Sequence, residues 1–376
     1  MQELFKGITG LHPGNLVMFI VAGVLIYLAI KKEYEPSLLL PIGFGAILAN
    51  IPWSSAIGHE GFLSIIYNFG IATELFPVLI FIAVGAMIDF TPLLKNPFML
   101  FFGAAAQFGI FATMLLAIVL GFNLYEAGAI GIIGAADGPT SIYVANEFRE
   151  FFKEGRNLVA PITVAAYSYM SLVPIIQPPV IKLLTTRKER LIRMDYKEVA
   201  VPKVVKILFP IIITLLAGII APISVALVGS LMFGNLIREC GVLERLSNAA
   251  QNELANLVTI LLGITIGSTM VWNQFLKVET LIIMGMGLIA FIFDTAGGVI
   301  FAKILNLFLK NKVNPMVGAA GISAFPMSAR VIHKMAQKED PSNFILMQSV
   351  SANVAGQLGS IVAGGLLLAL IPALMR

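Results

Sequence analysis

Ile132-Ile133-Gly134-Ala135-Ala136-Asp137-Gly138-Pro139-Thr140-Ser141-Ile142-Tyr143 is an apolar run with a single carboxylate in its middle. A carboxylate held in hydrocarbon costs about 3 kcal/mol on insertion scales. Pro139 lacks an N–H and crowds the preceding turn. Gly138 beside it lets the backbone leave helical geometry. The stretch therefore predicts a helix broken at this point, with carbonyls freed beside a carboxylate and two hydroxyls, Thr140 and Ser141. Oxygen-only ligands of that kind suit a hard cation, and Na⁺ fits a set of carbonyls, hydroxyls and one carboxylate. The competing reading is a helix-end Asp satisfied by backbone N–H groups. The apolar flanks weigh against a surface cap.

The rest of the chain supports a lipid setting. Of 376 residues, 58% are hydrophobic and 12% are charged, whereas soluble domains run near about 25% charged. Mean hydropathy is +0.91. The length allows roughly ten spanning helices of about 20 residues with short loops, and no large soluble catalytic domain. Cys240 is the one cysteine, and His12, His59 and His333 are scattered, which excludes a Cys/His zinc or iron–sulfur site. No P-loop, dinucleotide fingerprint or nucleophile elbow is present, so the chain does not itself burn ATP. The net charge of +4 reflects loop orientation rather than a nucleic-acid partner. Residues 1–14 lack the basic start, apolar core and cleavage site of a signal peptide.

Apolar runs able to span occur at 15–31, 36–51, 75–94, 98–122, 126–146, 157–184, 203–220, 222–238, 254–272, 278–309 and 344–375, with shorter small-residue stretches at 61–73 and 314–329. The expected fold is an all-α polytopic membrane protein of about eleven transmembrane helices, with broken helices and re-entrant hairpins in two inverted repeats. Asn96-Pro97 and Gly103-Ala104-Ala105 find counterparts in Asn314-Pro315 and Gly318-Ala319-Ala320, and Asp137 in Asn353, at an offset close to 217. The expected organisation is a first repeat over 1–184 with its broken helix at 134–143, a basic connector at 185–203, and a second repeat over 204–376 with a re-entrant segment at 314–329. Lys182, Arg187, Lys188, Arg190, Arg193, Lys197, Lys203 and Lys206 put the connector in the cytoplasm by the positive-inside rule. Arg330, His333, Lys334 and Lys338 point the same way.

Beyond Asp137, the run Asn314-Pro315-Met316-Val317-Gly318-Ala319-Ala320-Gly321-Ile322-Ser323-Ala324-Phe325-Pro326 brackets small residues between prolines. It reads as a re-entrant half-helix lining a cavity, with Asn314 and Ser323 supplying oxygens. Arg330 just beyond it is either a bidentate carboxylate binder or a snorkelling interfacial arginine. Asn353, among Ser349, Ser351 and Gln357, is either an ion ligand or a helix-packing polar residue. Tyr167 and Tyr169 sit mid-span, where a tyrosine either packs or holds a hydrogen bond. Asp89 and Asp294 read as nearer span ends and rank below Asp137, and Glu74 and Lys303 rank lower still.

In the stretches Gly134–Tyr143, Ala165-Ala166-Tyr167-Ser168-Tyr169-Met170 leading to Pro174-Ile175-Ile176-Gln177-Pro178-Pro179, Asn314-Pro315 through Arg330, and Ser351-Ala352-Asn353, the sequence resembles the beta subunits of sodium-pumping, biotin-dependent decarboxylases. These serve oxaloacetate, methylmalonyl-CoA or glutaconyl-CoA decarboxylase complexes. The likeness runs from about Glu74 to the C-terminus, without departure at the motif positions. The resemblance implies that the chain decarboxylates carboxybiotin, carried on a biotin carrier protein and charged by a carboxyltransferase subunit, and exports Na⁺ across the cytoplasmic (inner) membrane. It implies a small membrane subunit as a further partner; a homo-oligomer within the complex is expected because moving parts need a fixed frame. It also implies Asp137, Asn314, Gly318, Ser323 and Asn353 in the ion sites, Arg330, Tyr169 and Ser323 in the decarboxylation, and Arg330 against the biotin group. The alternative is a secondary Na⁺- or H⁺-coupled carboxylate transporter or antiporter, which shares the broken helices and the intramembrane Asp. A passive scaffold would need neither.

Overall fold

Glycines set how closely the helices approach. In the computed structural model, which describes residues 6–194 and 200–375, a Cβ at Gly45 would stand 2.2 Å from the Ile264 carbonyl oxygen, and one at Gly267 would stand 2.1 Å from that of Ile42. Helix Pro36–Asn50 is thereby locked against Ala255–Ser268. Gly85 and Gly234 do the same, at 1.9 and 2.0 Å from the Leu231 and Ile82 carbonyls, between Leu75–Met87 and Val225–Glu239. Such small-residue seams let backbones touch where lipid offers no hydrophobic drive between helices.

These two seams exchange elements between the halves of the chain. Helix Pro36–Asn50 corresponds in order to Val225–Glu239, and Leu75–Met87 to Ala255–Ser268, each of the later pair preceded by a π-helical turn, Tyr67–Ile71 and Ala250–Leu254. Matching elements therefore lie 180 to 190 positions apart, not at the offset of 217. The 217 register matched Asn-Pro and Gly-Ala words, while the fold matches helices.

All described elements are helical. Pro13–Lys32, Pro97–Val119, Glu244–Ser268, Val278–Phe308 and Leu346–Leu374 are each long and apolar enough to cross a membrane, and the bent pairs Phe62–Ile71 with Leu75–Met87 (63°) and Val159–Met170 with Val173–Leu184 (69°) raise the number from 5 to 7. The expected runs at 36–51 and 126–146 give shorter helices, Pro36–Asn50 and Leu124–Ala135. Prolines and glycines divide several of the eleven expected spans. Of the basic connector, Lys197 and its neighbours at 195–199 lie outside the described residues.

The 31-residue helix Val278–Phe308, about 46 Å long at 1.5 Å per residue, orders everything near the site. At its N-terminal end Arg156 Nε stands 4.0 Å from Glu279. There Asn123 Nδ2 donates to the Phe151 carbonyl at 3.0 Å, tying together the two limbs of a hairpin over 124–147. At its other end Asn306 clasps the Val313 backbone (2.7 and 2.8 Å). There Asn314 Nδ2 donates to the Arg190 carbonyl at 2.9 Å, and Arg190 Nε pairs with Glu339 at 2.7 Å. Residues 315–339 thus form a second hairpin rooted at the opposite end. The tips meet: Ser323 N donates to the Ala135 carbonyl at 3.1 Å.

Asp294 is not near a span end, as its sequence neighbourhood suggested. It sits in the middle of Val278–Phe308 and is 1% exposed. Its carboxylate is turned to the N–H groups of Gly109 and Ile110, just past Gln107, where the helix over 100–119 is interrupted.

Candidate functional site

The first hairpin breaks where the Gly-Pro pair demands. A 3₁₀ turn ends at Ala135, Ala136 takes a left-handed φ of 53°, and Asp137 is extended before helix Gly138–Glu147 starts. Asp137 is 3% exposed. Its two carboxylate oxygens are treated differently. Oδ2 accepts from Thr140 Oγ1 (2.7 Å), Ser360 Oγ (2.9 Å) and Gln357 Nε2 (3.2 Å). Among the described residues, Oδ1 has only the Thr140 N–H, at 3.4 Å. The side chain is an N-cap, as the plainer reading of the sequence had it, but its short bonds come from side chains, two of them on the last helix. All of these donors are neutral, so the buried charge has no resident counter-ion among them.

A cavity of about 480 Å³ opens beside this carboxylate, lined by Asp137, Tyr167, Ser323, Gln357, Glu35 and Arg330, among others. The structure therefore brings together three of the sequence candidates, Asp137, Ser323 and Arg330. Ser323 Oγ donates to the Gly356 carbonyl at 3.0 Å. Arg330, one turn into Met327–Glu339, is exposed at the mouth. Glu35, between helices Pro13–Lys32 and Pro36–Asn50, lines the same cavity. Burial raises its carboxyl above the ordinary carboxylate range, and the Arg330 guanidinium pulls it back down.

The other candidates lie around this cavity rather than in it. Asn314 caps the second hairpin at its root, accepting from Met316 N at 3.1 Å and donating to the Arg190 and Ile192 carbonyls. Gly318 allows backbone contact with the long helix, since a Cβ there would stand 2.0 Å from the Gly298 carbonyl oxygen. Asn353 Nδ2 donates to the Ile322 carbonyl at 2.6 Å, while its buried Oδ1 has no partner among the described residues. Tyr169 donates to the Met284 carbonyl on the long helix. Tyr167 is the tyrosine that faces Asp137. Ser360 was not anticipated from the sequence, and Gln357 was noted only as a neighbour of Asn353. The signal was available: Gln357 and Ser360 are three apart, on one face of an otherwise apolar helix.

The comparison with protein families decides the setting. The model of the Na⁺-transporting oxaloacetate decarboxylase beta subunit matches residues 14–371. The chain belongs to that family. It is 48% identical to the methylmalonyl-CoA decarboxylase subunit beta of Propionigenium modestum, over 97% of this chain and 96% of the relative. It is 50% identical to the glutaconyl-CoA decarboxylase subunit beta of Acidaminococcus fermentans, over 97% and 96%. Against the oxaloacetate decarboxylase beta chain of Klebsiella pneumoniae it is 43% identical, over 100% and 99%. A beta subunit of this family is the membrane component of a Na⁺-transporting decarboxylase. This one sets a buried carboxylate, a hydroxyl and a guanidinium around one cavity.

Proposed function

We propose that this chain decarboxylates carboxybiotin on a biotin carrier protein and couples the reaction to Na⁺ export across the cytoplasmic membrane. The observation that carries the reading is that Asp137 and Arg330 line the same cavity. A cation ligand and a carboxylate binder sharing one cavity give a direct route for coupling. The side at which it opens supports the direction. Glu35, at its wall, follows Lys31 and Lys32 at the end of Pro13–Lys32. The root of the second hairpin is bonded to Arg190 in the basic connector. The positive-inside rule makes that end cytoplasmic, so the cavity takes its ion from the cytoplasm.

Each residue then has a task. Arg330 pairs with the carboxylate of carboxybiotin. The apolar cavity strips that carboxylate of water, which strengthens every charge interaction within it. The N–C bond breaks, CO₂ leaves, and the ring nitrogen takes a proton relayed by a site hydroxyl, Ser323 or Tyr169. Asp137 Oδ1 holds the Na⁺. Asn353, with its unpartnered Oδ1 beside the second tip, and Ser323 offer further oxygens on the ion's path. Asn314 and Gly318 hold the second hairpin in place for them. The two halves act as inverted repeats, 1–184 and 204–376, one moving against the other in alternating access. A carboxyltransferase subunit, the biotin carrier and a small membrane subunit complete the complex, in which this chain is present in more than one copy.

The test is transport by the complete complex in sealed vesicles. Carboxybiotin on the carrier drives Na⁺ accumulation, and Arg330→Gln removes both decarboxylation and accumulation. Carrier-independent exchange of Na⁺ for a free carboxylate would instead favour a secondary transporter.

A further inference from the structure

Tyr167 is 3% exposed, and its buried hydroxyl has no hydrogen-bond partner among the described residues. Leaving a buried hydroxyl unpaired is unfavourable, yet the ring is not free to seek a partner. It lies flat against the backbone of Gly138, where a Cβ would stand 2.3 to 2.6 Å from three ring atoms. Gly138 follows Asp137 directly, and both Tyr167 and Asp137 line the 480 Å³ cavity. The fold therefore fixes an unsatisfied oxygen beside a carboxylate whose Oδ1 has a single weak donor.

The spacing of the two groups is informative. Tyr167 Oη is not hydrogen-bonded to Asp137, although Oδ1 has a single weak donor. Two oxygens sharing a proton stand under about 3 Å apart. Ca²⁺, close in radius to Na⁺, holds its oxygens at about 2.3–2.6 Å, so two ligands of one such ion stand farther apart than a hydrogen-bonded pair. A phenol without a partner near, but not bonded to, a carboxylate oxygen that has one weak donor is the arrangement that an ion between them satisfies.

We propose that Tyr167 Oη is a direct ligand of the transported Na⁺, completing with Asp137 Oδ1 the site at the tip of the first hairpin. This rests on the reading of Asp137 as the ion-binding carboxylate. It gives the two neighbouring tyrosines different tasks: Tyr167 binds the ion, while Tyr169, bonded to the Met284 carbonyl, keeps the proton-relay role proposed above.

The experiment uses Tyr167→Phe, which removes one oxygen and keeps the ring on Gly138. In the complete complex, the Na⁺ concentration for half-maximal decarboxylation should rise about tenfold, with the rate at saturating Na⁺ within about twofold of the parent. Na⁺-dependent thermal stabilisation should move to higher Na⁺ by the same factor, because a ligand stabilises only in proportion to its occupancy. A merely structural hydroxyl without a partner predicts an equally or more stable variant with unchanged Na⁺ dependence. That result, with Asp137→Asn unresponsive to Na⁺, overturns the assignment of Tyr167 alone. An Asp137→Asn variant that keeps the parental Na⁺ response overturns the carboxylate site, and the Tyr167 ligand with it.

Discussion

The first hairpin buries two carboxylates, one at its root and one at its tip, and they are satisfied in opposite ways. At the root, Glu126 is fully buried and receives Arg156 Nη1 at 3.1 Å and the Asn123 and Lys153 backbone N–H groups at 2.9 and 3.0 Å. A guanidinium of the protein itself balances its charge. At the tip, Asp137 receives two hydroxyls, an amide and one distant backbone N–H. Neutral donors lower the cost of a buried charge but do not cancel it. The carboxylate with a resident cation is architecture, and the one without is where the proposed function puts the mobile cation.

The largest effect that tests this contrast comes from Asp137→Asn. The amide keeps the volume and removes the charge. Na⁺-dependent decarboxylation should fall at least about a hundredfold, as when one member of a buried charge pair is lost. Rates measured against Na⁺ concentration in the reconstituted complex give the answer. Parental Na⁺ dependence in this variant would falsify the distinction between root and tip.

Glu126→Gln should behave differently. It leaves Arg156 without its carboxylate, and because that arginine is partly exposed (27%), the stability loss should sit at the lower end for broken buried pairs, about 3 kcal/mol. The complex should inactivate sooner on heating, while the half-saturating Na⁺ concentration of the surviving enzyme stays within about twofold of the parent. A large shift in Na⁺ affinity here, with normal heat stability, would erase the contrast.

Ser360→Ala is subtler. It removes one of three donors to Oδ2 at 2.9 Å, a bond to a charged group worth about 1.5 kcal/mol. The half-saturating Na⁺ concentration should shift about tenfold, because the carboxylate loses orientation as well as a donor. An unchanged Na⁺ titration would mean that Thr140 and Gln357 suffice to aim Oδ1.

How much of this was readable from the sequence follows from how local each cause is. The break at Asp137 is written in Gly138 and Pro139, adjacent residues acting on their own backbone. Pro315 and Pro326 likewise announce a re-entrant element, although its returning limb runs to Glu339 rather than stopping at 329. Ser360 and Gln357 reach Asp137 across more than 200 positions. Only the packing of the last helix against the first hairpin brings them there, and no local pattern encodes that packing. Asp294 was misplaced because its span is 31 residues long, so distance from a polar flank was a poor guide to depth. The expected repeat was registered on recurrent dipeptides. Helix-packing glycines such as Gly45 and Gly234, which share the same structural task, suit a different register.

The root of the second hairpin supplies the smallest test. Asp340 closes its returning limb, with Ser342 Oγ and N donating to Oδ1 at 2.7 and 3.0 Å, and Arg193 Nη2 and Nε donating to Oδ2 at 2.7 and 3.0 Å. These bonds, those of Ser342 first, lower its pKa from 3.8 to about 2. A carboxyl whose folded pKa is depressed favours the folded state above its unfolded value and loses that contribution as pH falls through the folded one. Its support is therefore present above about pH 4 and disappears toward pH 2. Asp340→Asn should lower the unfolding temperature slightly at pH 5, and the gap from the parent should close as pH falls through this window. Na⁺ affinity should not change, because this pair fastens the hairpin at the end away from the ion. A gap that stays constant from pH 5 to pH 2 would show that the second root, unlike the first, is held by something other than its carboxylate.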